Sequence, residues 1–182
     1  MEAPVSTATA WVIDPTHSEV QFKVKHLMVS TVTGLFSQYE GKLEMVGDDF
    51  EDAKISFSAD ISSISTGNEQ RDGHLKSADF FDAEQFPKLT FVSTSMKKTG
   101  DDTFQLVGDL TIHGVTKPVT LKAEYGGQMQ DFYGQTKAGF ELSGTIKRKE
   151  FGLSWDAVTE AGGVVVSDDV RLVLNIQVTK QA

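Results

Sequence analysis

Polar and apolar residues alternate along most of the chain. From Glu19 to Lys25, Val20, Phe22 and Val24 fall on one face, and Glu19, Gln21, Lys23 and Lys25 on the other. A period of two marks a half-buried strand. The next segment, Val32 to Met45, is interrupted by Gly34 and Gly41, which predict a bend or bulge. Ile55, Phe57, Ala59 and Ile61 then alternate with Ser56, Ser58 and Asp60. Pro87 opens a strand through Leu89 and Phe91, and Thr99-Gly100-Asp101-Asp102 is a turn cluster. Phe104, Leu106, Gly108, Leu110 and Ile112 share the next face. After a turn at His113-Gly114, Val119, Leu121, Ala123 and Tyr125 follow, and Gly126-Gly127 is expected to end that strand. Ala138, Phe140, Leu142, Gly144 and Ile146 alternate with polar residues, and the last strand turns Val170, Leu172, Leu174, Ile176 and Val178 inward.

These are about eight strands in antiparallel meander order, each wet on one face. Eight strands can close into a barrel and remove their edges. A two-sheet sandwich is the alternative. Thr66 to Asp82 breaks the period and predicts a short helical insertion around residues 68–82, crossing an end of the barrel. Thr66 with Glu69 is a capping-box candidate, and Asn68 is an alternative N-cap. Ser77 or Asp79 would cap a second turn before Phe80-Phe81. A second irregular stretch, Glu150 to Val165, reads as a long loop or flap over the other end. Residues 1–10 read as a frayed tail, and 11–182 as a single domain.

The inward face is almost wholly apolar, in a chain with twelve Phe against three Tyr and two Trp. An eight-stranded barrel is either filled by side chains or holds one small ligand. Small inward residues (Gly34, Gly108, Gly144, Ala59, Ala123, Ala138) either leave room for a ligand or relieve crowding.

At 182 residues the chain can bury a full core. Its formal charge of −9 repels phosphate backbones, so nucleic acid is not an expected partner, and it offers anionic lipid headgroups no overall attraction. With no cysteine there is no disulfide, thiolate nucleophile or zinc–thiolate site. No apolar run is long enough for a membrane-spanning helix. MEAPVSTATA has no secretion-signal pattern, which predicts a cytoplasmic protein unless a signal has been removed, in which case it is periplasmic or secreted.

Catalytic motifs are absent from the sequence. There is no GxSxG elbow, phosphate-binding glycine loop or HExxH pair. The carboxylate pairs Asp48/Asp49, Asp101/Asp102 and Asp168/Asp169 fall in turns. His113, beside Gly114, reads as structural. Arg71 and His74 stand three apart on the predicted helix, where they would face a polar headgroup at a barrel mouth or form a surface salt-bridge helix. The run Ile146 to Glu150 is a local basic patch at a strand end.

Trp11-x-Ile13-Asp14-x-x-His17-Ser18-x-Val20-x-Phe22-x-x-x-His26 resembles the opening of the YceI-like family. Gly34-x-Phe36 and Gly41 continue it. Arg71-Asp72-x-His74-Leu75, Asp79-Phe80, Phe86-Pro87-x-x-x-Phe91-x-Ser93, Gly108-x-Leu110-Thr111-Ile112-x-Gly114-Val115-Thr116 and Arg148-x-x-Phe151-Gly152 are similar to later family segments. The resemblance spans residues 11 to 178. It implies an all-β, lipocalin-like, eight-stranded antiparallel barrel with a helical insertion. It also implies an interior that binds a long isoprenoid or other amphiphilic lipid, such as a polyprenyl diphosphate, a ubiquinone or a fatty-acid amide.

The expectation is therefore a noncatalytic carrier or store with no cofactor besides its lipid. The tail would lie among Phe22, Val24, Phe36, Phe57, Phe91, Leu110, Phe140, Leu142 and Leu172, with Trp155 covering an opening. Arg71, His74, His26 and Arg148 are the headgroup candidates. No stable membrane insertion is expected, and a homodimer is compatible with the sequence. Two alternatives stay open. One is an enzyme using the bore as a reaction chamber, with His26 or His74 as acid or base. The other is a solid-core interaction barrel.

Overall fold

The computed structural model describes residues 8–27, 29–46, 50–153 and 166–181. Its strands are β1 (Thr9–Ile13), β2 (Glu19–His26), β3 (Ser30–Phe36), β4 (Tyr39–Met45), β5 (Lys54–Asp60), β6 (Ile64–Ser65), β7 (Lys88–Lys98), β8 (Thr103–Ile112), β9 (Val115–Gln130), β10 (Thr136–Lys147) and β11 (Val166–Lys180). One helix, α1 (Glu69–Lys76), lies between β6 and β7. The strands form one antiparallel sheet that closes on itself through β1 and β11.

Three interruptions reconcile eleven segments with eight ribbons. β1 and β2 are one ribbon broken at Pro15–His17, β3 and β4 one broken at Ser37-Gln38, and β5 and β6 one broken at Ile61–Ser63. Each ribbon pairs with the next along the chain, and β11 returns to pair with β2 and β1 (Leu172 opposite Phe22, Val178 opposite Ile13). The result is the closed eight-stranded antiparallel barrel that the alternation implies; the sandwich is not formed.

Asp14 pins the first interruption. Its carboxylate accepts hydrogen bonds from the Thr16 hydroxyl (2.6 Å), the Thr16 amide (3.0 Å) and the Lys137 ammonium on β10 (3.2 Å), and sits 2.9 Å from His17 Nδ1. The Thr16 hydroxyl, then His17, then Lys137 hold the Asp14 carboxyl well below the usual carboxylate range, against the opposing effect of burial.

The end bearing the β9–β10 hairpin is plugged by aromatic rings. Phe50 packs against Phe140 (4.9 Å between centroids), Tyr125 (5.2 Å) and Trp11 (5.6 Å). At the opposite end sit α1, the β2–β3 and β8–β9 turns and the start of the second irregular stretch. Phe86, between the insertion and β7, stacks edge-on against His113 in the β8–β9 turn, and a Cβ on Gly152 would stand 2.8 Å from that same ring. The insertion and Glu150–Leu153, the described start of the second stretch, therefore flank one end, because β10 finishes and β7 begins on the same side of the barrel; residues 154–165 of that stretch lie outside the described residues.

Three further expectations change. Gly126-Gly127 does not end β9, which runs on to Gln130. Tyr125 pairs with Phe140 and Gly127 with Gly139, so Gly126 is the extra residue of a bulge, and Gly127 takes φ +109°. Thr9 and Ala10 belong to the barrel, since they pair with Met45 and Glu44. Gly34 makes no bulge: β3 pairs with β2 in unbroken register, and the Phe22 ring lies over the glycine. Gly108 is covered in the same way by Phe91, and Gly144 by Leu121. These glycines relieve crowding and do not themselves open ligand space.

Candidate functional site

The barrel is not solid. Inward-facing Phe22, Val24, Phe57, Leu142 and Leu172 are only half-buried, as an unfilled interior leaves them. They surround a cavity of about 220 Å³. A water needs only about 10–15 Å³ of such space, so this is room on the scale of a lipid tail. Among its described lining side chains only Gln21, Lys42, Ser56 and Arg148 are polar, and the strand alternation turns the first three outward. An apolar cavity of this kind holds water poorly and apolar carbon well.

Phe22, Val24, Phe36, Phe57, Phe91, Leu110, Phe140, Leu142 and Leu172 all line this cavity. Trp155 lies outside the described residues. The insertion adds Leu75, Phe80 and Phe81, which the alternation did not single out. They are the large apolar residues of an otherwise polar segment, and that contrast was the available signal. Asn68 caps α1 by accepting from the Arg71 amide at 3.0 Å, so the alternative N-cap is the one used. Ser77 closes α1 and starts the next turn, with the Phe80 amide donating to its carbonyl (3.1 Å). Phe81 then meets Phe36 edge-on at 6.4 Å, which ties the insertion to β3 across the cavity mouth.

The four headgroup candidates separate. Arg71 turns back on its own helix start, donating from Nε to the Thr66 hydroxyl and from Nη2 to the Thr66 carbonyl, both at 2.7 Å. His74 sits 2.9 Å from the Asp79 carboxylate and packs edge-on against Phe80. His26 is exposed at the end of β2. None of these three lines the cavity. The sequence separation of three does place Arg71 and His74 on one helix, but local acceptors claim them before the mouth can.

Arg148 does line it. It is the one buried charged side chain among the described residues, at 3% exposure. Nε donates to the Ser167 carbonyl (2.9 Å), Nη1 to Leu153 (2.7 Å) and Nη2 to Val166 (3.1 Å). The planar fork thus joins the end of β10 to the first residues of β11, which the bulge between Val166 and Val170 brings into reach. It places a fixed positive charge where the apolar bore meets the mouth.

The sequence of residues 11–178 matches the YceI-like domain model. Protein YceI of Escherichia coli is 38% identical over 165 residues, covering 91% of this chain and 83% of that protein. The Campylobacter jejuni YCEI crystal structure superimposes with a TM-score of 0.74 at 34% identity, covering 88% of this chain and 91% of that one. A polyisoprenoid binding domain from Saccharophagus degradans shares the fold at 17% identity, with a TM-score of 0.70 over 95% of this chain and 99% of that one. Domain match, sequence identity and barrel geometry agree, and the chain belongs to the YceI-like family.

Proposed function

We propose that the barrel binds the apolar chain of an isoprenoid or similar amphiphilic lipid, without catalysis, as a carrier or store. The observation that carries this reading is the apolar, aromatic-lined cavity of about 220 Å³, with the buried Arg148 at its mouth. The similarity in fold to a polyisoprenoid binding domain supports it. Each buried CH₂ contributes about 0.8 kcal/mol, so a tail of several isoprene units supplies enough affinity after ordering costs. The headgroup stays at the Arg148 end, whose charge suits a diphosphate or a quinone carbonyl.

An enzyme reading needs an acid or base at the bore, and neither His26 nor His74 lines it. A solid-core interaction barrel is at odds with the unfilled interior. Phe57, half-buried on the cavity wall, offers the test. Phe57→Asp is expected to abolish uptake of a prenyl quinone and a prenyl diphosphate while circular dichroism still shows the β-fold. A folded variant that loads either lipid as the parent does would remove Phe57 from the site.

A further inference from the structure

The β2–β3 hairpin at the mouth carries an unusual charge arrangement. Lys23 stands directly opposite Arg171 across the β2–β11 ladder, on the outer face. Lys25 lies two residues further along that face, and His26 follows. Like charges directly opposite each other destabilise a ladder. Elsewhere in the barrel such pairs are relieved: Glu124 faces Glu141, but Lys122 sits 3.1 Å from Glu124. Among the described residues, none of the ion pairs includes Lys23, Lys25 or Arg171. A chain of net charge −9 therefore keeps a cluster of three permanent cations beside its mouth.

The tip of the same hairpin is apolar. Leu27 is 42% and Val29 83% exposed, on either side of the turn that the Val29 amide closes onto the His26 carbonyl (3.2 Å). Large aliphatic side chains held in water beside cations match the two layers of a phospholipid surface: acyl boundary for the first, phosphate for the second. The whole-chain charge hides this, because electrostatic attraction is screened within about 10 Å and is set by the nearest groups.

We propose that this hairpin docks the barrel onto an anionic phospholipid bilayer, with Leu27 and Val29 entering the headgroup layer and Lys23, Lys25 and Arg171 facing lipid phosphates. The contact is peripheral. It brings the mouth to the membrane, so that a lipid passes from bilayer to cavity without crossing water. This rests on the lipid-binding reading of the cavity.

Sedimentation with phosphatidylcholine vesicles, with and without an equal part of phosphatidylglycerol, tests it. The parent protein is expected to bind the anionic vesicles and to release them as salt rises. Lys23→Glu with Lys25→Glu, or Leu27→Ser with Val29→Ser, is expected to weaken binding by about tenfold or more. Neither pair lines the mouth in place of Arg148, so uptake of prenyl quinone from detergent micelles stays at the parent level. Lys23→Glu also sets opposite charges across the ladder, which protects the fold.

Phe132→Ser with Tyr133→Ser, on the exposed tip at the plugged end, serves as the control and is expected to leave binding unchanged. Three results would overturn the proposal: a parent protein that binds neither vesicle, hairpin variants that bind as the parent does, or binding lost only in the control. Absence of uptake from micelles would instead refute the cavity reading. Vesicle sedimentation needs no loaded cavity, so the two failures are distinguishable.

Discussion

The ring of Phe22 occupies the place where Gly34, its partner across the β2–β3 ladder, would carry a side chain. A Cβ on Gly34 would stand 2.2 Å from the Phe22 Cζ. Gly34→Ala must therefore push the ring aside, at a cost of about 1–3 kcal/mol. Because the obstacle is one movable ring, Phe22→Leu should relieve most of that cost. Urea unfolding of both single variants and the double variant reads the coupling. Strictly additive losses would show that the ring and the glycine are independent.

Leu142 is half-buried and lines the cavity from β10. Leu142→Trp adds a ring where space already exists. The fold should hold, with a melting temperature no lower than the parent's, while lipid loading falls several-fold. Native mass spectrometry of both proteins after identical incubation gives the comparison. Undiminished loading in the variant would place the lipid elsewhere.

Arg148 donates to three backbone carbonyls from one planar group. Arg148→Met keeps bulk and removes every donor, leaving those carbonyls to find water or stay unpaired. A loss of roughly 2–4 kcal/mol in unfolding free energy is expected. Arg148→Lys should recover little of it, because a point charge on a flexible stem cannot span three acceptors. Full rescue by lysine would mean that charge alone matters at this position.

Asp14 makes part of the stability depend on pH. Its carboxyl titrates below the usual carboxylate range in the folded chain, chiefly through the Thr16 hydroxyl. A carboxylate with a lowered folded pKa contributes stability that is present above the unfolded value of about 3.9 and is lost as pH falls toward the folded value. Asp14→Asn should therefore be less stable than the parent at neutral pH, with the gap closing as the solution is acidified below that value. Urea unfolding of both proteins across that range would read it. A gap independent of pH would mean that the substitution costs geometry, not charge.

Much of this architecture is written locally. Alternation alone places Phe22, Val24, Phe57, Leu142 and Leu172 on the inner face, because a strand repeats every two residues whatever it pairs with. Asn68 and Ser77 are legible as caps because each side-chain oxygen accepts from a backbone amide two or three residues on, Arg71 for the first and Asp79 for the second. What the sequence hides depends on distant partners. Gly126-Gly127 looks like a strand end until Gly139 supplies the ladder that makes it a bulge. Arg71 and Arg148 look alike as mouth cations. Only the fold shows Thr66 capturing the first, while the β11 bulge brings carbonyls around the second. The plug around Phe50 joins four segments distant in sequence, so no local pattern could announce it.

The central claim is that the bore carries a lipid, and chemical extraction addresses it most directly. Protein purified without detergent, and a second portion incubated with prenyl quinone and prenyl diphosphate and then passed through gel filtration, would be extracted with organic solvent and analysed by mass spectrometry. The account predicts one apolar amphiphile per chain in at least the incubated portion. Empty extracts from both portions would contradict it and leave the cavity without an occupant of this class.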